Sequence, residues 1–253
     1  PMSKITEQDF INFFKYYNGE EHQQRAIELL YEEIDCDFAD HLENNAAWIQ
    51  QYRNQSQKTS TATKEWPITK ENMAEIMGCS TSSLSDSLMD DFARCCDLYD
   101  FDLINIAYFL GQCGHESAGL RYPVEIHDGS NYEGRRDLNN IYPGDGVKFA
   151  GTGFLQCTGR FNHQRYSDYL QKKGEFDPNI MEIGKTYTSE KYPWSISGFW
   201  WHDNDMIAYC KTRPYVDRVG AIVNGRYLPN GYQDRRDYTV KAFKVLGLEY
   251  PGN

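Results

Sequence analysis

Residues 102–119 read DLINIAYFLGQCGHESAG, and this stretch decides the architecture. Asp102 can accept a hydrogen bond from the first free backbone N–H groups of a helix. Leu103, Ile106, Ala107 and Leu110 then recur at helical spacing, which predicts a strongly apolar helix from Asp102 toward Gly119. His115, Glu116 and Ser117 fall at its end. A carboxyl beside apolar surface loses water and is driven toward its protonated form, the state a general acid needs. On position alone, a surface residue at a helix end is the favoured reading of Glu116.

Working outward, Thr69 can cap a helix carrying Met73, Ile76 and Met77 and ended by Gly78. A further helix covers about 84–99, and others are predicted near 162–172, 196–209, 215–224 and 234–246. Residues 120–160 are rich in Gly, Asn and Asp without periodicity, and a loop of that length usually carries function. A short strand is predicted at 149–156. Upstream, Thr6-Glu7-Gln8-Asp9 resembles a capping box, and three amphipathic helices are expected before a polar Ser/Thr-rich linker at 54–64. The organisation read is a small helical module over 1–60, of wall-binding or spacer type, ahead of a larger domain over 67–253.

Composition narrows the function classes. The 253 residues carry a net charge of −11, which repels a phosphate backbone and an anionic membrane surface alike. No apolar run is long enough to span a bilayer, so membrane insertion is not expected. The seven Cys form no C-x-x-C pair and cannot all pair within one chain; free, buried thiols are expected. The six His show no zinc spacing, so neither a metal nor a cofactor is expected. No signal peptide is visible at the start, which reads as synthesis in a cytoplasm. Most of the 19 Tyr are expected in helix interfaces.

Two further regions bear on chemistry. Glu125 lies past Gly119 and Pro123, where the chain must have turned, and could face Glu116. Two carboxyls roughly 6.5–9.5 Å apart leave room for a water and give inversion at a sugar carbon. Asp128 and Glu133 are within reach of the same role. In 151–160 (GTGFLQCTGR) the glycines let backbone approach a ligand, and Gln156, Thr158 and Asn162 offer neutral hydrogen-bonding groups suited to sugar hydroxyls. No Gly-Lys-Ser/Thr follows, against a phosphate loop, and no G-x-S-x-G occurs, against an esterase nucleophile. Trp200-Trp201 reads as core.

Four segments in order, FLGQCGHESAGLRY (109–122), GDGVKFAGTGFLQCTGRFNH (144–163), ISGFWW (196–201) and AIVNG with QDRRDY (221–225, 233–238), resemble glycoside hydrolase family 19, the plant-type chitinases and related phage endolysins. The resemblance covers about 67–250 and implies a mainly α, lysozyme-like, two-lobed catalytic domain. It implies that Glu116 is the acid, Glu125 the base with Asp128 as alternative, and Thr158 a holder of the attacking water. It implies sugar contacts from Gln156 and Asn162, with His115 and Tyr132 counted beside them. Asn224 and Arg235 match a late Asn and Arg that shape the cleft, and Arg236 competes with Arg235 for that match. The chain departs from the family in having Gly151-Thr152-Gly153 where Gly-Arg-Gly is common, and Ile126 to Ser130 inserted after Glu125. The implied partner is peptidoglycan or a chitin-type polysaccharide, acted on by a monomer. Without a signal peptide the expected role is an endolysin released to the wall by a holin; the alternatives are a chitinase and a silent glycan-binding protein.

Overall fold

The computed structural model describes residues 67–252. The expected N-terminal helical module and its linker lie outside the described residues.

Three helices open where side-chain caps are available. α1 (Lys70–Met77) starts at Thr69, whose Oγ1 accepts from Asn72 N at 3.1 Å, and stops at Gly78 in the left-handed region. α2 (Asp86–Leu98) starts at Ser85, which accepts from Leu88 N. α3 (Leu103–Glu116) starts at Asp102, which accepts from Asn105 N at 2.8 Å. α3 is buried on every side from Asn105 to Gly114. A helix apolar all round belongs in the centre of a domain. The loop that follows contains one short helix, α4 (Asp145–Lys148), and two single 3₁₀ turns, Ser130–Tyr132 and Arg136–Leu138.

The remaining helices are α5 (Arg160–Lys172), α6 (Asn179–Glu182), α7 (Lys185–Lys191), α8 (Pro193–Asp203), α9 (Met206–Lys211), α10 (Val216–Asn224) and α11 (Tyr232–Val245). α3 packs on α11, α9, α10 and α1, while α8 packs on α2, α7 and α9. Trp194 on α8 ties the two groups together. It is fully buried, with ring centroids 5.0 Å from Phe92, 4.4 Å from Phe154 and 5.9 Å from Phe109. Trp201 is also buried and donates to Asn105 Oδ1 at 3.3 Å, whereas Trp200 is only half-buried. The tyrosines at 99, 108, 166 and 192 are in the core as expected. The six described cysteines are free and five of them are buried.

The structure corrects two expectations. The helix predicted over 196–209 is two helices, α8 and α9. The chain breaks at Asn204-Asp205, where Asp205 takes φ 55° and Asn204 Nδ2 donates to Trp200 O at 2.8 Å. Short polar side chains tolerate the left-handed conformation and compete for helix carbonyls. The predicted strand at 149–156 is absent. Thr152 makes only isolated bridges to Val124 and Cys157, because Gly153 (φ 75°) and Gln156 (φ 53°) turn the chain before a ladder can extend.

Asp91 of α2 joins α2 to the start of α8. Its Oδ2 accepts from Trp194 N at 2.8 Å and Ser195 N at 3.1 Å, and Oδ1 accepts from Ser195 Oγ. Burial pushes this carboxyl up to about 6, against the lowering effect of those hydrogen bonds. A carboxyl whose folded value exceeds its unfolded one takes up a proton on folding between roughly pH 4 and 6. Its contribution is therefore fully present below about pH 4 and is lost as pH rises through 6. The stability difference between wild type and Asp91→Asn, measured by urea unfolding, should grow by up to about 3 kcal/mol from pH 7 to pH 4. Parallel pH profiles would show that Asp91 is ionised throughout.

Candidate active site

The site begins where α3 meets α11. A Cβ on Gly111 would overlap Thr239 Oγ1, and one on Gly114 would lie 2.5 Å from Tyr238 Cδ1. Both glycines are needed for α11 to lie this close. The approach brings Arg235, a fully buried residue of α11, onto α3. Its Nη2 donates to Glu116 Oε1, its Nη1 to Gln112 Oε1 at 2.7 Å, and its Nε to Asn230 O at 3.0 Å. Gln112 is one helical turn before Glu116 and shares its face. The apolar setting expected for Glu116 is thus a buried cation and an amide, with one carboxylate oxygen engaged.

The end of α3 is clamped. Ser117 Oγ donates to Cys113 O at 2.6 Å and accepts from Leu120 N at 2.9 Å, and Gly119 N donates to Gly114 O at 2.7 Å. Ala118 (φ 52°), Gly119 (φ 71°) and Leu120 (φ 67°) are all left-handed, a costly turn for the two residues with a Cβ. This reversal leads directly to Glu125.

Glu125 is held mainly by backbone. Its N–H donates to Gly151 O at 2.9 Å, and its Oε2 accepts from Gly151 N at 3.1 Å. Oε1 accepts from Tyr132 Oη at 3.0 Å. Burial, followed by this bond to the carboxylate, raises the Tyr132 phenol above its usual value, so Tyr132 stays a donor. A Cβ on Gly151 would overlap Gln156 Oε1 and lie 3.1 Å from Glu125 Oε2, so the glycine lets the two side chains converge. Gln156 Nε2 donates to Gly153 O, Thr158 Oγ1 to Gln156 O at 2.9 Å, and Asn162 Nδ2 to Thr158 O at 2.8 Å. Glu125 with Tyr132, and Gln156 with Thr158 and Asn162, therefore form two hydrogen-bonded sets that converge at Gly151.

The other candidates have separate partners. Asp128 is exposed and accepts from Ser130 N at 2.9 Å, a bond that holds its carboxyl below the usual range. Glu133 accepts from Gly144 N and Gly146 N, both at 2.7 Å, and so closes its own loop. His115 Nδ1 is 2.7 Å from Asp234 Oδ2, and its ring lies against Gly231, where a Cβ would overlap it. Asn224 Oδ1 accepts from Asn230 N at 3.0 Å, which shapes the loop whose carbonyl receives Arg235. Arg236 is half-exposed on Asp217, 2.8 Å from its Oδ1. Between the two arginines, the structure brings Arg235 to Glu116. Gln112 and Asn230 were not singled out in the sequence; the one available signal was a glutamine inside an apolar helix. Among the described residues, no group of His, Cys, Asp and Glu could hold a metal ion, and no helix is long and apolar enough to cross a membrane.

No family model matches the chain. Its mainly α, lysozyme-like fold is that of family 19 chitinases. Chitinase C from Streptomyces griseus matches with a TM-score of 0.55 at 17% identity, over 75% of this chain and 80% of that one. A bacterial family 19 chitinase matches with a TM-score of 0.54 at 20% identity, over 74% of this chain and 98% of that one. A class IV chitinase of the family from Zea mays matches with a TM-score of 0.52 at 17% identity, over 72% of this chain and 94% of that one.

The two arginines should separate in stability. Arg235→Met leaves the half-buried Glu116 and buried Gln112 without their shared partner, and should cost about 3 kcal/mol in denaturant unfolding. Arg236→Met removes a part-exposed ion pair and should cost less than about 1 kcal/mol. Equal losses would contradict the assignment of Arg235 as the buried partner.

Proposed function

We propose that this chain is an inverting glycoside hydrolase that cleaves β-1,4 bonds next to N-acetylglucosamine in a chitin-type glycan. The observation that carries this reading is the contrast between two carboxyls on a family 19 chitinase fold. Glu116 sits at the end of a rigid buried helix with one oxygen bound by Arg235. Glu125 sits on a loop with its oxygens bound by Tyr132 and Gly151.

In the mechanism, Glu116 carries a proton on the oxygen that Arg235 leaves free and gives it to the bridging glycosidic oxygen as the C–O bond breaks. A water attacks the anomeric carbon from the opposite face. Its proton passes to Glu125, and Thr158 and Gln156 help hold it. Opposite-face attack inverts the sugar carbon. Asn162, Asn224, His115 and the Tyr132 ring edge are proposed to border the sugar. Glu125 is preferred to Asp128 because its side chain and that of Gln156 converge at Gly151, whereas Asp128 is turned onto Ser130.

The solved chitinases of similar fold favour chitin as the polymer. The endolysin reading keeps the shared N-acetylglucosamine unit as its support, while the net charge of −11 gives no attraction to an anionic wall. Incubation with a soluble chitin oligomer, run beside purified peptidoglycan, decides between them. Reducing ends should appear from the oligomer, and Glu116→Gln should lower that rate by about 10²–10⁴-fold with the thermal midpoint retained. Clearing of peptidoglycan alone would transfer the reading to an endolysin. Full activity of Glu116→Gln would sink both.

A further inference from the structure

Asn140 is fully buried in the irregular loop. Its side-chain amide uses both ends. Nδ2 donates to Tyr132 O at 3.0 Å, and Oδ1 accepts from Arg160 N at 2.8 Å. Arg160 is the first residue of α5, and the residue before it, Gly159, has no side chain with which to cap the helix. Asn140 therefore supplies, from 20 positions away, an acceptor that a local N-cap would normally provide.

The two ends of this amide touch the two halves of the candidate base site. On one side, Tyr132 O is fixed and the same residue's phenol reaches Glu125 Oε1 at 3.0 Å. On the other, Thr158, just before α5, and Asn162, in its first turn, are themselves linked at 2.8 Å. Close approach at Gly159, where a Cβ would lie 2.8 Å from Leu138 Cβ, brings the segment before Asn140 against this turn. The outer side is closed by a two-bond ion pair. Arg160 Nε donates to Asp145 Oδ2 at 2.8 Å and Nη2 to Oδ1 at 2.5 Å, with the guanidinium over the Tyr142 and Phe149 rings. Asp145 is buried and its Oδ2 also accepts from Tyr142 N.

We infer that Asn140 is a positioning residue: it sets the Tyr132–Glu125 pair in register with the Thr158–Asn162 turn, so that base and water-holding groups meet at one place. It touches no substrate in this account, and the inference rests on Glu125 being the base. A small displacement of a reacting group is enough to lower a turnover rate steeply. The route is specific. Loss of the Nδ2 bond alone should act through Tyr132, so that bond and the Tyr132 hydroxyl should not contribute independently.

A double-mutant cycle tests this. Asn140→Asp keeps an acceptor for Arg160 N but turns a carboxylate oxygen toward Tyr132 O. Tyr132→Phe removes the hydroxyl bound to Glu125. Each single variant should lower kcat on the cleaved glycan by about tenfold, with KM changed less than about twofold. The double variant should be no slower than the slower single one. If the added charge lowers the thermal midpoint, the cycle is read at a temperature well below the midpoints of all four proteins. Multiplying effects, or a change confined to KM, would overturn the inference. Glu125→Gln in parallel separates the two readings. If it is inactive while the cycle multiplies, Asn140 alone loses its role. If it retains full turnover, Glu125 is not the base and the inference falls with it.

Discussion

The close crossing of α3 and α11 is the constraint on which the site depends. Two glycines, Gly111 and Gly114, leave room for Thr239 and Tyr238 where any side chain would collide. Only at that separation can a buried guanidinium on α11 reach both Gln112 and Glu116. A buried arginine is strongly unfavourable unless its donors are matched. Here Nε, Nη1 and Nη2 each have an acceptor, one of them the carbonyl of Asn230 in a loop that Asn224 holds in place. Helix packing, loop shape and the setting of Glu116 are thus one problem with one solution.

The two carboxyls are supported in opposite ways. Glu116 inherits its rigidity from a helix that is buried all round, and a strained left-handed turn leads the chain away immediately after it. Glu125 has no helix beneath it. Its precision comes from backbone bonds to Gly151, the Tyr132 phenol and, through Tyr132, the Asn140 bridge. A loop can hold a reacting group accurately only when the groups behind it are themselves fixed. The long irregular segment fixes the proposed base with buried polar residues, Asn140 and Asp145 among them, in place of regular structure.

Much of the framework was legible in the sequence because its signals are local. Thr69 and Asp102 cap the helices they precede, Gly78 ends the one it follows, and apolar spacing marks α3 over most of its length. What escaped was non-local or short. The break at Asn204-Asp205 interrupts an otherwise helical pattern, and α6 and α7 are too short to establish a period. In the Gly-rich segment, two residues with positive φ override strand-like composition. Arg235 and Arg236 look alike in sequence. Adjacent helix positions point about 100° apart, and only the partner helix decides which one faces Glu116. Asn140 carried no signal at all, since its partners stand 8 and 20 residues away in a segment without periodicity.

The stereochemistry of the first product is the most direct test of the central claim, that Glu116 and Glu125 act on opposite faces of one sugar. Proton NMR of a β-linked chitin oligomer, followed from the first minutes of cleavage before mutarotation, reads the anomer formed. Direct attack by a water that Glu125 activates predicts the α-anomer at the new reducing end. Initial formation of the β-anomer would mean retention, and would contradict the account.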